Sequence, residues 1–206
     1  MTDLACRLGI LILWVAIKAS RWIIHRRETQ DAAEQIDLQD ARAALAYLLP
    51  TEGITFIYVF FPSWISWANL PLDPPWRGLG AAFGMLGFLL FVWAHLSLGP
   101  DFSVFLRPRD EHRLVTEGPY RYVRHPIYSA AFLVATGFFL LSANGLVGLI
   151  WLGGALVFFS WRIPREEAMM IVQFSGPYLE YMKSTGCLFP LRRSSVRRRK
   201  EGRNSF

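Results

Sequence analysis

Apolar residues along the 206-residue chain gather into five long blocks: Leu4 to Ile24, Ile54 to Leu70, Trp76 to Leu98, Ile127 to Leu141 and Leu146 to Trp161. A helix that crosses ~30 Å of hydrocarbon needs about 20 apolar residues. The first and third blocks reach that length. The last two are shorter and are separated only by Ser142-Ala143-Asn144-Gly145, a polar and flexible turn, so they read as a tight transmembrane hairpin. One short block alone is equally consistent with a buried core helix; five together argue for an all-α integral membrane protein of about five transmembrane helices. The first block is longer than the apolar core of a signal peptide and has no small-residue cleavage site before Arg26, which keeps it as a span.

The polar stretches divide these blocks. Glu28 to Arg42, with Asp31, Glu34, Asp37 and Asp40 among alanines and glutamines, reads as a solvated connector. Pro50-Thr51-Glu52-Gly53 interrupts the next apolar run, so the second span is expected to start near Ile54, with Ala43 to Leu49 as an alternative bent extension. Three prolines between Asn69 and Pro75 predict a non-helical turn. Beyond Trp161, apolar residues at near-helical spacing (Met169, Met170, Val172, Phe174, then Tyr178, Tyr181, Met182) predict amphipathic helices broken at Gly176-Pro177.

Composition agrees with a membrane setting: 53% of residues are hydrophobic and 18% charged, too apolar for a soluble domain of this size. The net charge of +6 is unevenly placed. Arg26 and Arg27 follow the first span, Arg107, Arg109, Arg113, Arg121 and Arg124 lie between the third and fourth, and most of the rest follows Trp161. By the positive-inside rule the amino terminus is then outside and the carboxyl terminus cytoplasmic. Lys18 and Arg21 are expected to snorkel to the headgroups. The serine-containing basic run Arg192 to Arg203 reads as a disordered tail whose partner is anionic membrane lipid; no nucleic-acid partner is expected. Cys6 and Cys187 fall on opposite faces and are expected to be free thiols, with no metal site.

Chemistry concentrates between the third and fourth blocks. In His112 to Tyr128, Gly118-Pro119 demands a turn, Tyr120 and Tyr122 offer flat faces with hydroxyls, and Pro126 suits the first turn of a helix with His125 near its N-cap. Backbone N–H groups at such a helix start favour a carboxylate or phosphate. The same arginines and tyrosines would also suit a plain membrane interface. A second constellation, Arg162-Ile163-Pro164-Arg165-Glu166-Glu167, follows the last span. Arg162 and Glu166 could share a helix face in a simple salt bridge, whereas Pro164 is expected to disturb the helix and free them for different targets.

The run LVTEGPYRYVRHPIY, then RIPREE, then FSGPYLEYMKSTGCLFP resembles the isoprenylcysteine carboxyl methyltransferase family and, more distantly, the phospholipid N-methyltransferases. The resemblance covers roughly Leu98 to Pro190. It implies S-adenosyl-L-methionine as cofactor, contacted by His112, Arg113, Leu114, Val115, Tyr120, His125, Pro126, Ile127, Tyr128 and Glu166, with Leu188-Phe189-Pro190 closing the pocket. It also implies catalytic roles for Arg162, which would hold the substrate carboxylate, and for Glu167. Phe102 and Phe105 depart from the family pattern, the latter where some eukaryotic members place a cofactor-binding glutamine. The chain resembles the shorter, five-span prokaryotic members. The expected organisation is therefore 1–97 as transmembrane helices 1–3 with a cytoplasmic connector at 25–42, and 98–190 as the methyltransferase core. That core holds a cytoplasmic cofactor loop at 98–126, the hairpin at 127–161 and C-terminal cytoplasmic helices; 191–206 is the basic tail. Localisation follows as the plasma or inner membrane in a prokaryote and the endoplasmic reticulum in a eukaryote.

The expected reaction is in-line methyl transfer to a lipidic or prenylated carboxylate, which is already ionised at neutral pH and needs no general base. The alternatives are N-methylation of a phospholipid amine, with His125 or a glutamate as base, and a non-catalytic lipid-binding protein. A nicotinamide-dependent reductase is disfavoured by the lack of a glycine-rich dinucleotide fingerprint.

Overall fold

The computed structural model describes residues 3–25, 38–98 and 114–191. His112, Arg113, Phe102 and Phe105, the connector at 26–37 and the tail from 192 lie outside the described residues. The elements are α1 (Asp3–His25), α2 (Leu38–Phe60), a 3-10 turn (Pro62–Ala68), α3 (Pro74–Leu98), a second 3-10 turn (Gly118–Arg121), α4 (Pro126–Ser142), α5 (Gly145–Phe174) and α6 (Gly176–Ser184). Among the described residues there is no strand, only isolated bridges between Asn69 and Asn144 and between Val123 and Gly186.

Three helices, α2, α3 and α5, are long and apolar enough to cross a membrane, and α4 is apolar but shorter. Apolar side chains cover the outside as well as the core: Ile12 is 68% exposed and Val157 72%. Water would not tolerate that surface; lipid does. The interior is built on Phe138, Ile10, Val147, Tyr58 and Trp151.

The second span takes the extended form given as the alternative, with Ala43 to Leu49 inside the helix, and goes beyond it. It starts at Leu38 and runs unbroken through Pro50. Pro50 withholds the N–H that would bond the Ala46 carbonyl, yet the helix continues, and around that gap the Thr51 hydroxyl bonds the Tyr47 and Leu48 carbonyls (3.0 and 2.9 Å) and Thr55 that of Thr51 (2.7 Å). The helix also ends earlier, at Phe60, because Pro62 opens a tighter turn. Asp40, expected in a solvated connector, is buried in the first turn of α2.

The hairpin turn is not flexible. Ala143 closes α4 in the left-handed region (φ 47°), and Asn144 caps α5 by accepting from the Leu146 and Val147 N–H groups. Its amide nitrogen donates to the Ile65 carbonyl (2.8 Å) and to Asn69 Oδ1 (2.9 Å). Every polar atom of this buried side chain thus has a partner, which pins the hairpin to the Pro62–Ala68 turn.

α5 also exceeds its expected length. It includes a π turn at Leu149–Gly153 and continues through Pro164, so Arg162 and Glu166 do share one face. The break falls at Ser175, whose backbone (φ 48°, ψ −119°) lies in a strained region for a non-glycine residue. That bend folds α6 back beneath the bundle.

α3 and α4 approach almost backbone to backbone. A Cβ placed on Gly137 would lie 2.5 Å from the Gly84 nitrogen, and one on Gly87 would lie 2.8 Å from the Ala130 carbonyl oxygen. Small residues at such a seam let two membrane helices pack without intervening side chains.

Candidate functional site

The loop before α4 is held by its own turn and by the chain's far end. Gly118 adopts φ +58°, and a side chain there would strike Ser97 of α3. The 3-10 turn that follows buries Tyr120, whose carbonyl accepts the Tyr181 hydroxyl of α6 at 2.5 Å. Arg124 N–H donates to the Gly186 carbonyl (2.7 Å) and His125 N–H to that of Cys187 (3.1 Å). The Arg124 guanidinium rivets three elements: Nε and Nη2 reach Glu167 at 2.9 and 2.8 Å, and Nη1 donates to the carbonyls of Met182 and Thr185.

His125 caps α4 only by position, without a side-chain cap bond. Pro126 has no N–H and the Tyr128 N–H turns back to the His125 carbonyl (3.1 Å), so this helix start offers fewer donors to an anion than the sequence suggests. The chemistry sits in side chains instead. Glu166 Oε1 accepts from the Tyr128 hydroxyl (2.5 Å) and from Arg162 Nε (2.9 Å), while Arg162 Nε also donates to the Tyr128 oxygen (3.2 Å). His125 places Nδ1 3.4 Å from Glu166 Oε2 and Nε2 3.3 Å from Glu167 Oε1. Burial opposes the charged imidazole, but the hydrogen bonds and charges of the two glutamates outweigh it and raise the His125 pKa above its usual 6.5. Burial raises the pKa of the Tyr120 phenol as well, keeping it neutral.

These groups line the polar end of a cavity of about 370 Å³, within the roughly 300–1,000 Å³ of ordinary ligand sites. Leu114, Val115, Tyr120, Ile127 and Tyr128 line it, as do Glu166 and Arg162, and its apolar walls come from α1 to α5, with Trp14, Leu48, Phe91, Ala131 and Phe158 among them.

The structure brings together Leu114, Val115, Tyr120, His125, Pro126, Ile127, Tyr128, Arg162 and Glu166. Glu167 takes a different place, bound to Arg124 and His125. The Leu188 carbonyl accepts the Ser129 hydroxyl (2.7 Å), and Phe189 is exposed, so this segment meets the start of α4 through its backbone. Lys18 and Arg21 do not simply reach outward. Both line the cavity, and Lys18 pairs with Glu52, which also accepts from Trp14 Nε1 at 2.6 Å. Both cysteines are free. Cys187 does have a histidine neighbour in space: ligand atoms of His125, Glu167 and Cys187 lie within 4.8 Å of one another. A cation there would sit beside the Arg124 guanidinium, whose like charge opposes it.

Sequence reasoning missed Asp40, Glu52 and the riveting role of Arg124. Only Arg124 carried a signal, as an arginine directly before the histidine of a helix start.

The Isoprenylcysteine carboxyl methyltransferase (ICMT) family matches residues 80–172, the stretch from α3 to α5 that holds this cluster. The chain is 30% identical to protein-S-isoprenylcysteine O-methyltransferase B of Arabidopsis thaliana over 67% of this chain and 68% of that protein. The chain belongs to the isoprenylcysteine carboxyl methyltransferase family. Other family relatives are the O-methyltransferases of Dictyostelium discoideum (30% identical, 70% of this chain and 64% of that one) and Schizosaccharomyces pombe (37%, 53% and 47%). The chain thus spans about half to two thirds of the relatives it matches. Among solved structures it is similar to a eukaryotic intramembrane Ras methyltransferase of the same family, with a TM-score of 0.52 and 26% identity, covering 77% of this chain and 55% of that one. Family membership and the three apolar helices make this an all-α integral membrane protein.

Proposed function

We propose that this protein transfers a methyl group from S-adenosyl-L-methionine to the carboxylate of a prenylated cysteine or a similar lipidic acid. The observation that carries the proposal is the Arg162–Glu166–Tyr128 cluster at the polar end of a mainly apolar cavity. The donor set suits the cofactor: Glu166 is an acceptor for ribose hydroxyls or an ammonium, the rings of Tyr128 and Phe159 stack 4.5 Å apart beside it, and aromatic faces suit a cationic sulfonium. Leu114, Val115, Tyr120 and Ile127 would complete its apolar surroundings, with His112 and Arg113 as the remaining expected contacts. When bound, the cofactor supplies an activated methyl group.

The chain's own residues do the rest. Arg162 would hold the acceptor carboxylate in line, and Glu166 and Tyr128 hold Arg162. The apolar walls exclude water and accommodate a lipid tail, which raises the reactivity of a desolvated carboxylate. His125 faces two carboxylates, which raise its pKa, and both of its ring nitrogens are turned toward them, so neither is directed at an acceptor's proton. That favours an acceptor already ionised over an amine that must first lose a proton. The distribution of arginines supports a site at the cytoplasmic face with the amino terminus outside.

The test is purified protein in detergent with labelled S-adenosyl-L-methionine and three acceptors: a farnesylated cysteine analogue, phosphatidylethanolamine and total native lipid. A base-labile methyl ester on the cysteine analogue is the expected product. Base-stable label on phosphatidylethanolamine alone replaces the proposal with N-methylation, and no transfer to any acceptor leaves a lipid-binding protein.

A further inference from the structure

Among the described residues, four buried side-chain atoms have no hydrogen-bond partner, and two of them are the carboxylate oxygens of Asp40. Asp40 is 1% exposed. A carboxylate removed from water without hydrogen bonds is costly and persists only where charges of opposite sign surround it. Two do: Arg162 Nη1 lies 3.9 Å from Oδ2 and Arg165 Nε lies 3.9 Å from Oδ1. Asp40 opens α2, in the half of the chain that precedes the family match at 80–172.

We infer that Asp40 is a positioning residue for the acceptor's carboxylate, acting through Arg162. The inference rests on the function proposed above. Arg162 is fixed at Nε by Glu166 and Tyr128, and its guanidinium carbon lies 5.9 Å from the centre of the Phe158 ring. Those contacts set one end and one face of the group. The far end of the same rigid plane carries Nη1 and faces the Asp40 carboxylate, whose charge favours that orientation of the group. At 3.9 Å that charge orients the guanidinium without a direct bond to it. The second arginine is held separately, with Arg165 lying 4.5 Å over the Trp161 ring, so Asp40 stands between two guanidiniums that are each secured elsewhere. The amino-terminal half of the chain thereby takes part in acceptor recognition rather than serving only as a membrane anchor.

The experiment compares parent, Asp40→Asn, Asp40→Glu and Arg162→Gln by calorimetry in detergent, without turnover. The probes are S-adenosylhomocysteine and farnesylated N-acetylcysteine as free acid and as methyl ester. The parent is expected to favour the acid. Asp40→Asn should lose about tenfold of its affinity for the acid, with ester and S-adenosylhomocysteine affinities held within about twofold, and Asp40→Glu should restore part of the loss. Arg162→Gln should abolish the preference for the acid. An Asp40→Asn protein that keeps the parental preference overturns the inference and leaves the function standing. A loss shared equally by acid, ester and S-adenosylhomocysteine shows a merely structural role and also overturns it. A parent without preference for the acid overturns the carboxylate acceptor itself, and the role given to Asp40 with it.

Discussion

At the turn between α4 and α5, a neutral side chain saturates its own polarity: Asn144 caps a helix, bonds a carbonyl and an amide oxygen, and leaves none of its atoms unpaired, while the nearby Arg77 pairs with Asp3. About 25 Å along the same two helices, at 1.5 Å of rise per residue, the opposite end buries ionised groups. There Arg162, Glu166, Glu167, Arg124 and His125 interlock, and Asp40 has both oxygens without a hydrogen bond. Neutral, saturated bonding makes a stable corner at little electrostatic cost. Buried charges do the reverse, since each is expensive to desolvate, and their concentration beside the cavity of about 370 Å³ supports the ligand role proposed for that end.

The contrast can be broken first at Glu166. In Glu166→Ala, affinity for S-adenosyl-L-methionine by calorimetry should fall by about a hundredfold, because the substitution removes an acceptor and frees Arg162 and Tyr128 together. Retained affinity would assign the cofactor elsewhere. Asn144→Leu is the matching change at the other end. It should cost about 2–4 kcal/mol in thermal unfolding, by losing a helix cap and orphaning a buried carbonyl. Cofactor affinity of the folded fraction should not move; a fall in affinity with stability unchanged would collapse the distinction between the two ends.

The smallest effect concerns pH. His125 has a raised pKa in the folded protein, so the stability it contributes is complete below 6.5 and lost as pH rises through that higher value. Melting temperature should therefore drift down on the alkaline side, and His125→Gln should flatten that drift. An unchanged slope in the variant would show that the imidazole is not the titrating group.

How much of this the chain disclosed depends on the range of the interaction. The apolar blocks and the arginine-rich loop are local patterns, and they located α3, α4 and the start of α5 well. Pro50 and Pro164 did not end their helices, because a long membrane helix loses only one backbone bond at a proline and its packing outweighs that loss, which no pattern of spacing displays. Asn144 resembled an ordinary turn residue because its partners, Ile65 and Asn69, are distant in the chain. Asp40 was hidden for the same reason. Four acids among alanines describe a solvated segment, and only the tertiary fold distinguishes the one that faces Arg162.

The glycine seam between α3 and α4 bears on traffic. From Gly80 to Gly87 the two backbones touch Gly137 and Ala130 so closely that no hydrocarbon chain can pass between them. On that side the cavity has a wall, and the wall is shut from one end of the glycine run to the other. An acceptor tail of the proposed kind would then enter through the remaining arc of helices, where side chains rather than backbones meet. The enzyme proposed here would draw its substrate from one sector of the surrounding lipid, and a neighbour docked against the glycine side would leave that supply untouched.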